Sequence, residues 1–204
     1  MEFSLTILII AITAAISISA FSRPQITNDL IFYPAAMNGG KQLHRFITHG
    51  LIHADFMHLF FNMFTLYFFG RLIESVFTLW TGSGLVFLLF YFSAILVASL
   101  PDYFKYKDQY HYRSLGASGG VSAVLFSFIL LAPWETLYIW FIPMPSIAFA
   151  VLYVGYSVYM NKRGGDNINH GAHLWGALYG VVFTIIVKPQ ILSSFFKQLT
   201  NPPF

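Results

Sequence analysis

Charge is what this sequence most lacks. Asp, Glu, Lys and Arg make up 9% of its 204 residues, whereas a soluble domain carries roughly a quarter. That excludes a solvated globular surface of the ordinary kind. The 57% hydrophobic content excludes a disordered chain as well. Cysteine is absent, which removes disulfides, thiolate zinc sites and a cysteine nucleophile. Eleven Lys and Arg against eight Asp and Glu is too slight an excess to argue for nucleic acid, and the motifs of nucleic-acid binders are absent too. What remains is an integral membrane protein.

The few charges punctuate the chain. Charge-free stretches run over 3–22, 56–70, 75–101, 114–134, 136–161 and 167–187. A spanning helix needs about 20 mostly apolar residues, with a range of about 17–25. The short second stretch is completed by Arg71, whose stem can snorkel to the interface, and by Leu72 and Ile73 beyond it. The expected architecture is all-α: a polytopic bundle of six transmembrane helices over 3–22, 56–74, 80–101, 115–132, 145–161 and 169–187, in one domain over 1–204. Nothing alternates like a barrel, and an open strand edge cannot sit in lipid. The first stretch lacks a basic leader and has full spanning length, so it reads as a retained helix more than a cleaved signal.

Breaker residues fall between these segments. The long loop 23–55 holds Pro24, Pro34, Gly39 and Gly40. Gly82 and Gly84 open the third helix and Pro101 closes it. Pro133 ends the fourth, Pro143 and Pro145 precede the fifth, and NKRGGDNIN separates the fifth from the sixth.

Polar residues inside spans are costly, so each is a functional candidate. Three clusters stand out. HGLIHADFMHLFFNM opens helix 2, and its His58 and Asn62, four apart, share one helix face. SLGASGGVSAVLFS opens helix 4, with Ser118 between Gly116 and Gly119. NHGAHLWGALYG opens helix 6, with His170, His173 and the GxxxG pair Gly176 and Gly180. Each has a plainer reading taken alone: an asparagine joining helices, a small-residue packing face, an interfacial histidine. The G-x-S-x-G string is not a nucleophile elbow, which needs a preceding strand in a soluble sheet.

Topology changes that balance. Helices 2, 4 and 6 run in the same direction, so their starts share one side of the membrane. His58, Asn62, Ser118 and His173 then share one depth, which a single site explains. Ser118 is the nucleophile candidate and His173 the base. His58 and Asn62 are side-chain donors toward an oxyanion, with the Ser118 N–H as a third. Glu74 and Asp166 are expected out of reach, so the set is a dyad and not a triad. No cofactor or metal is expected.

The sequence resembles the bacterial rhomboid intramembrane serine proteases of minimal six-helix form. The resemblance rests on the HxxxxHxxxN pattern from His53 to Asn62, GASG from Gly116 to Gly119, and AHLWGALYG from Ala172 to Gly180. It implies Ser118 as nucleophile, His173 as general base, and His58 and Asn62 as oxyanion stabilisers. It implies that Gly176 and Gly180 let helix 6 approach helix 4, and that substrates are transmembrane proteins in the lipid bilayer. Arg45 matches an arginine of the family's first loop, while His44 stands where tryptophan is usual. Ser122 stands where some members carry a ring that stacks on the catalytic histidine; Tyr153, Tyr156 and Trp175 are the candidate replacements. The loop from Asn161 to Asn169 would act as a cap and helix 5 as a lateral gate, with His49, His53 and His170 around a water-retaining cavity.

Two rivals come from other classes. One is an inactive relative that binds membrane segments without cutting them. The other is a histidine-based metal site or transporter, since five of the seven histidines lie at the starts of helices 2 and 6. It lacks an H-E-x-x-H motif and carboxylate ligands. The family places the amino terminus in the cytoplasm and the site on the outer face of the cell (inner) membrane. The charge count disagrees: eight Lys and Arg lie on the active-site side against three on the other. The family orientation is adopted.

Overall fold

The computed structural model describes residues 4–139 and 141–203. The expected first residue of helix 1, residue 3, lies outside the described residues, as do both ends of the expected domain.

Helix α1 spans Leu5–Phe21. Its start is capped twice. Ser4 accepts from the Ile7 N–H at 3.4 Å. The Glu74 carboxylate accepts from the Ser4 hydroxyl at 2.8 Å, the Leu5 N–H at 2.7 Å and the Thr6 N–H at 2.9 Å. A carboxylate suits the positive end of a helix, so the charge that was expected to end helix 2 instead ties it to α1.

That helix therefore runs on. It comprises α5 (Phe56–Thr65), a π turn over Leu66–Gly70, and α6 (Arg71–Thr81), 26 residues in all. The expected end at 74 is corrected to 81. The stop is Gly82, which takes the left-handed conformation at φ 75° that glycine adopts without strain.

The third helix shifts accordingly: α7 spans Leu85–Tyr106, not 80–101. Pro101 lies inside it rather than closing it. Proline removes one backbone donor. The Ser99 hydroxyl donates to the Leu96 carbonyl at 2.8 Å just upstream, and the helix continues for more than a turn.

Helix α8, Ser118–Leu131, is the centre of the molecule. Every residue from Gly119 to Leu130 is buried, which suits a helix apolar on all faces. Its main neighbours are α10 (His170–Val187) and α7. The remaining long helix, α9 (Ser146–Arg163), packs against α10 and α8 and buries only Ser146, Ala150 and Ser157.

Other elements depart from the expectation. The loop 23–55 is built from short helices α2 (Pro24–Leu30), α3 (Pro34–Met37) and α4 (Arg45–Thr48), with a 3-10 turn at His49–Leu51. Arg45 ties α4 to α2: its Nε donates to Gln42 at 2.6 Å, and Nη1 donates to the carbonyls of Asn28 at 2.8 Å and Ile31 at 2.7 Å. Burial lowers the Arg45 pKa from its ordinary value, partly offset by Asp29. An antiparallel hairpin, β1 (Thr136–Ile139) with β2 (Ile142–Pro145), joins α8 to α9 where a loop was expected. An amphipathic helix, α11 (Gln190–Thr200), follows α10 and is tied to Trp134, whose Nε1 donates to the Gln198 carbonyl at 2.8 Å.

The fold is thus mostly helical. Three helices among the described residues, Phe56–Thr81, Leu85–Tyr106 and His170–Val187, are long and apolar enough to cross a membrane. Leu5–Phe21 and Ser118–Leu131 are apolar but shorter.

Candidate active site

Ser118 is the first residue of α8, and the loop before it is pinned on two sides. Ser114 pairs with Phe32 through both backbone hydrogen bonds. The Gly116 N–H donates to the His49 carbonyl at 2.9 Å. Gly116 sits at φ 117°, a conformation few other residues adopt, and the His58 ring lies against it: a Cβ there would fall 2.7 Å from His58 Cε1. Gly116 therefore makes room for an imidazole.

Within α8, the Val121 N–H is the first to bond a carbonyl of the same turn, that of Ala117 at 3.0 Å. The N–H groups of Ser118, Gly119 and Gly120 precede the ladder, as the first donors of any helix do.

The ring partners fix two histidine tautomers. The single Ser17 hydroxyl proton goes to the Leu51 carbonyl at 2.9 Å, so its oxygen accepts from His53 Nδ1–H, also at 2.9 Å. His53 Nε2 is then bare and accepts from the Ala117 N–H at 3.4 Å. A chain of hydrogen bonds thus runs from α1 through buried His53 to the residue before Ser118. Burial, with the nearby His58, pushes the His53 pKa down to about 3 and keeps the ring neutral. Burial likewise lowers His49 to about 4. In His58, Nδ1 accepts from the Ala54 N–H at 3.5 Å, which leaves the proton on Nε2, the atom facing Gly116.

Asn62 is buried one turn along, and its amide donates to the His58 carbonyl at 2.8 Å. Among the described residues no hydrogen bond takes Asn62 to Ser118 or His173.

His173 lies on the first turn of α10. Asn169 caps that helix by accepting from the Ala172 N–H at 2.9 Å, while its own Nδ2 donates to Asp102 at 2.6 Å and lies 3.3 Å from the Ser114 hydroxyl. Asn169 therefore joins α10, the end of α7 and the loop before Ser118. Burial, followed by Asp102, raises the pKa of Tyr112, which donates to the same carboxylate at 2.6 Å.

Glycine sets the approach of the two helices. A Cβ on Gly176 would lie 2.1 Å from the Gly119 carbonyl oxygen, and one on Gly180 would lie 2.2 Å from that of Ala123. Gly119 faces Ala98 on α7 and comes near the Ala172 carbonyl. Further down, Ser127 bonds Thr184 at 2.7 Å and the Gly180 carbonyl at 3.1 Å. The starts of α8 and α10 meet beside Ser118 and His173, with His58 within electrostatic reach of His173.

No hydrogen bond joins Ser118 to His173 among the described residues. The His173 ring is held by other rings. Tyr153 stacks on it with centroids 6.0 Å apart and planes 17° apart. His170 meets it edge-on at 5.9 Å. Of the three candidate rings, Tyr156 packs against His170 instead, and Trp175 is exposed. Asp166 bonds His170 Nε2 at 3.0 Å and not His173, and that contact lowers its pKa. Among the described residues no three His, Asp or Glu side chains converge so as to hold a metal ion.

Sequence reasoning missed the Asn169 junction and the His53 chain. An asparagine directly before an apolar helix is an N-cap signal that marks the first. No local signal marks the second, whose partners lie 36 and 64 residues away.

Comparison with known proteins adds three findings. A family model described as the Rhomboid domain matches residues 40–190. The mitochondrial RHOMBOID-like protein 12 of Arabidopsis thaliana is 31% identical over 173 residues, which is 79% of this chain and 51% of that protein. The rhomboid protease GlpG of Haemophilus influenzae is 25% identical over 158 residues, 77% of this chain and 76% of that protein. The chain thus spans about half the length of the first relative and about three quarters of the second.

Proposed function

The chain belongs to the rhomboid family, and from that premise we propose that it is an intramembrane serine endopeptidase that cuts transmembrane proteins through a Ser118–His173 dyad. The observation that carries the reading is the glycine-lined meeting of α8 and α10, which brings the first turns bearing Ser118 and His173 together beside His58.

In this reading the Ser118 oxygen attacks a peptide carbonyl of the substrate, and His173 takes the hydroxyl proton. The developing oxyanion is met by the His58 Nε2–H, by the Ser118 N–H at the helix start, and by the Asn62 amide once it turns from its own helix. His173 then gives its proton to the leaving amine, and water hydrolyses the acyl-enzyme. Without a carboxylate on His173, the imidazolium gains no ion-pair stabilisation.

Six crossings are assigned: α1, α5–α6, α7, α8, α9 and α10. The 14 residues of α8 rise only about 21 Å, against a hydrocarbon core of about 30 Å, which recesses Ser118 below the surface. The amino terminus lies in the cytoplasm and the site opens on the outer face of the cell membrane. The loop Asn161–Asn169 acts as cap and α9 as gate. Reporter fusions at the carboxyl terminus test the orientation, and an outward terminus would reverse it.

The decisive experiment is cleavage of a single-span substrate in proteoliposomes. Ser118→Ala and His173→Ala are each expected to abolish it, and retained cleavage by either overturns the dyad. A second reading, a relative that binds membrane segments without cutting them, draws on the departures from the family pattern at His44 and Ser122. Labelling of Ser118 by a fluorophosphonate probe excludes it.

A further inference from the structure

We propose that Tyr153, supplied by α9, is the positioning residue that orients the His173 imidazole. The proposal rests on the reading of His173 as general base.

A base that acts through one ring nitrogen must be held against rotation about its side-chain bonds. In a triad a carboxylate holds it by a hydrogen bond. Here Asp166, the carboxylate of the adjacent loop, is engaged by His170, and no hydrogen bond holds the His173 ring among the described residues. The near-parallel Tyr153 ring is what lies across its face.

Tyr153 is itself fixed on several sides. Its hydroxyl bonds the Ser122 hydroxyl at 2.7 Å. Its ring packs against Phe126 at 5.4 Å and Phe149 at 5.6 Å. Ser122 is buried and sits one turn after Ser118, on the same face of α8. The helix that carries the nucleophile therefore also carries the hydroxyl that seats the ring against the base. The small side chain at 122 has a reason: a ring there would compete with Tyr153 for the same space.

The test compares variants for kcat and KM on a cleavable substrate, and for the rate of Ser118 labelling by a fluorophosphonate, which needs no substrate entry. Tyr153→Phe keeps the stack and loses the hydroxyl, and is expected to lower kcat only about threefold. Tyr153→Ala loses both. Its kcat and labelling rate are expected to fall about 10- to 100-fold with KM little changed. The double variant Ser122→Tyr with Tyr153→Ala returns a ring from α8 and is expected to regain much of the labelling rate.

A Tyr153→Ala protein that labels and cleaves at the wild-type rate overturns the proposal, while loss of cleavage in Ser118→Ala keeps the protease reading intact. A raised KM with unchanged kcat also overturns it, because the ring would then serve substrate entry. So does a loss that tracks a lowered melting temperature and is not regained by the double variant. Retained cleavage by Ser118→Ala or His173→Ala is the separate result that removes the parent reading.

Discussion

The helix that carries the candidate base and the helix beside it are built on opposite plans. Toward α8, α10 presents Gly176 and Gly180 with no room for a single added carbon. On its open side, α9 carries exposed Val151, Leu152 and Tyr156 and a Gly155 with open space around it. The α8–α10 contact fixes where the serine and histidine backbones stand. The α9 contact fixes only how one ring is turned. Position is set by backbone apposition and orientation by a side chain from the periphery, so the two are separable by mutation.

The largest effect is expected on the tight side. Gly176→Val or Gly180→Val forces branched side chains into backbone, a cost of about 3 kcal/mol or more, and both activity and folded yield should collapse. Steric-trap or thermal unfolding in detergent measures it; a folded, active variant would show that the helices are free to separate.

Next comes the oxyanion side. His58→Ala should reduce kcat about 10²- to 10³-fold while the melting temperature holds. Gly116→Ala should approach the same loss, because its methyl group would displace the His58 ring and its φ of 117° disfavours a side chain. An active Gly116→Ala protein would separate His58 from catalysis.

A smaller effect belongs to pH. The folded pKa of His53 is about 3 and that of His49 about 4, both below the unfolded value near 6.5. Between those limits the unfolded chain binds more protons, so stability rises with pH and is lost on acidification from about pH 6.5 downward. The slope is up to about 1 kcal/mol per histidine per pH unit. His53→Gln, whose amide oxygen can still accept from Ala117, should flatten the melting-temperature profile between pH 7 and pH 5; an unchanged profile would show that His53 is not the group being charged.

The smallest effect lies on the loose side. Gly155→Ala in α9 should leave the fold unchanged or stabilise it by about 0.5–1 kcal/mol. A destabilised protein would show that α9 is packed more closely than its open glycine indicates.

The same contrast explains what could be read from the sequence. Gly176 and Gly180 were legible because a close helix contact needs a small residue type at a fixed spacing along one helix. The helix ends were not. Glu74 looked like a terminator because its partners, Ser4, Leu5 and Thr6, are some 70 residues away. Pro101 looked like a stop because a proline inside a helix and one that ends it read alike in the sequence. The α11 helix escaped because it lies outside the charge-free stretches used to count spans, and the hairpin because it opens one of them, 136–161, where lack of charge does not tell strand from helix. Choosing Tyr153 over Tyr156 required knowing the rotation of α9, which spacing alone does not give when most of that helix is exposed.

The Ser122–Tyr153 pair has a meaning for descent as well as for chemistry. Two positions on different helices share one ring-sized space, so bulk at one is tolerated only when the other is small. A lineage can hand that ring from one helix to the other, provided the exchange is paired. A comparison of relatives should then find a large residue at 122 with a small one at 153, or the reverse, and two large residues together should be rare.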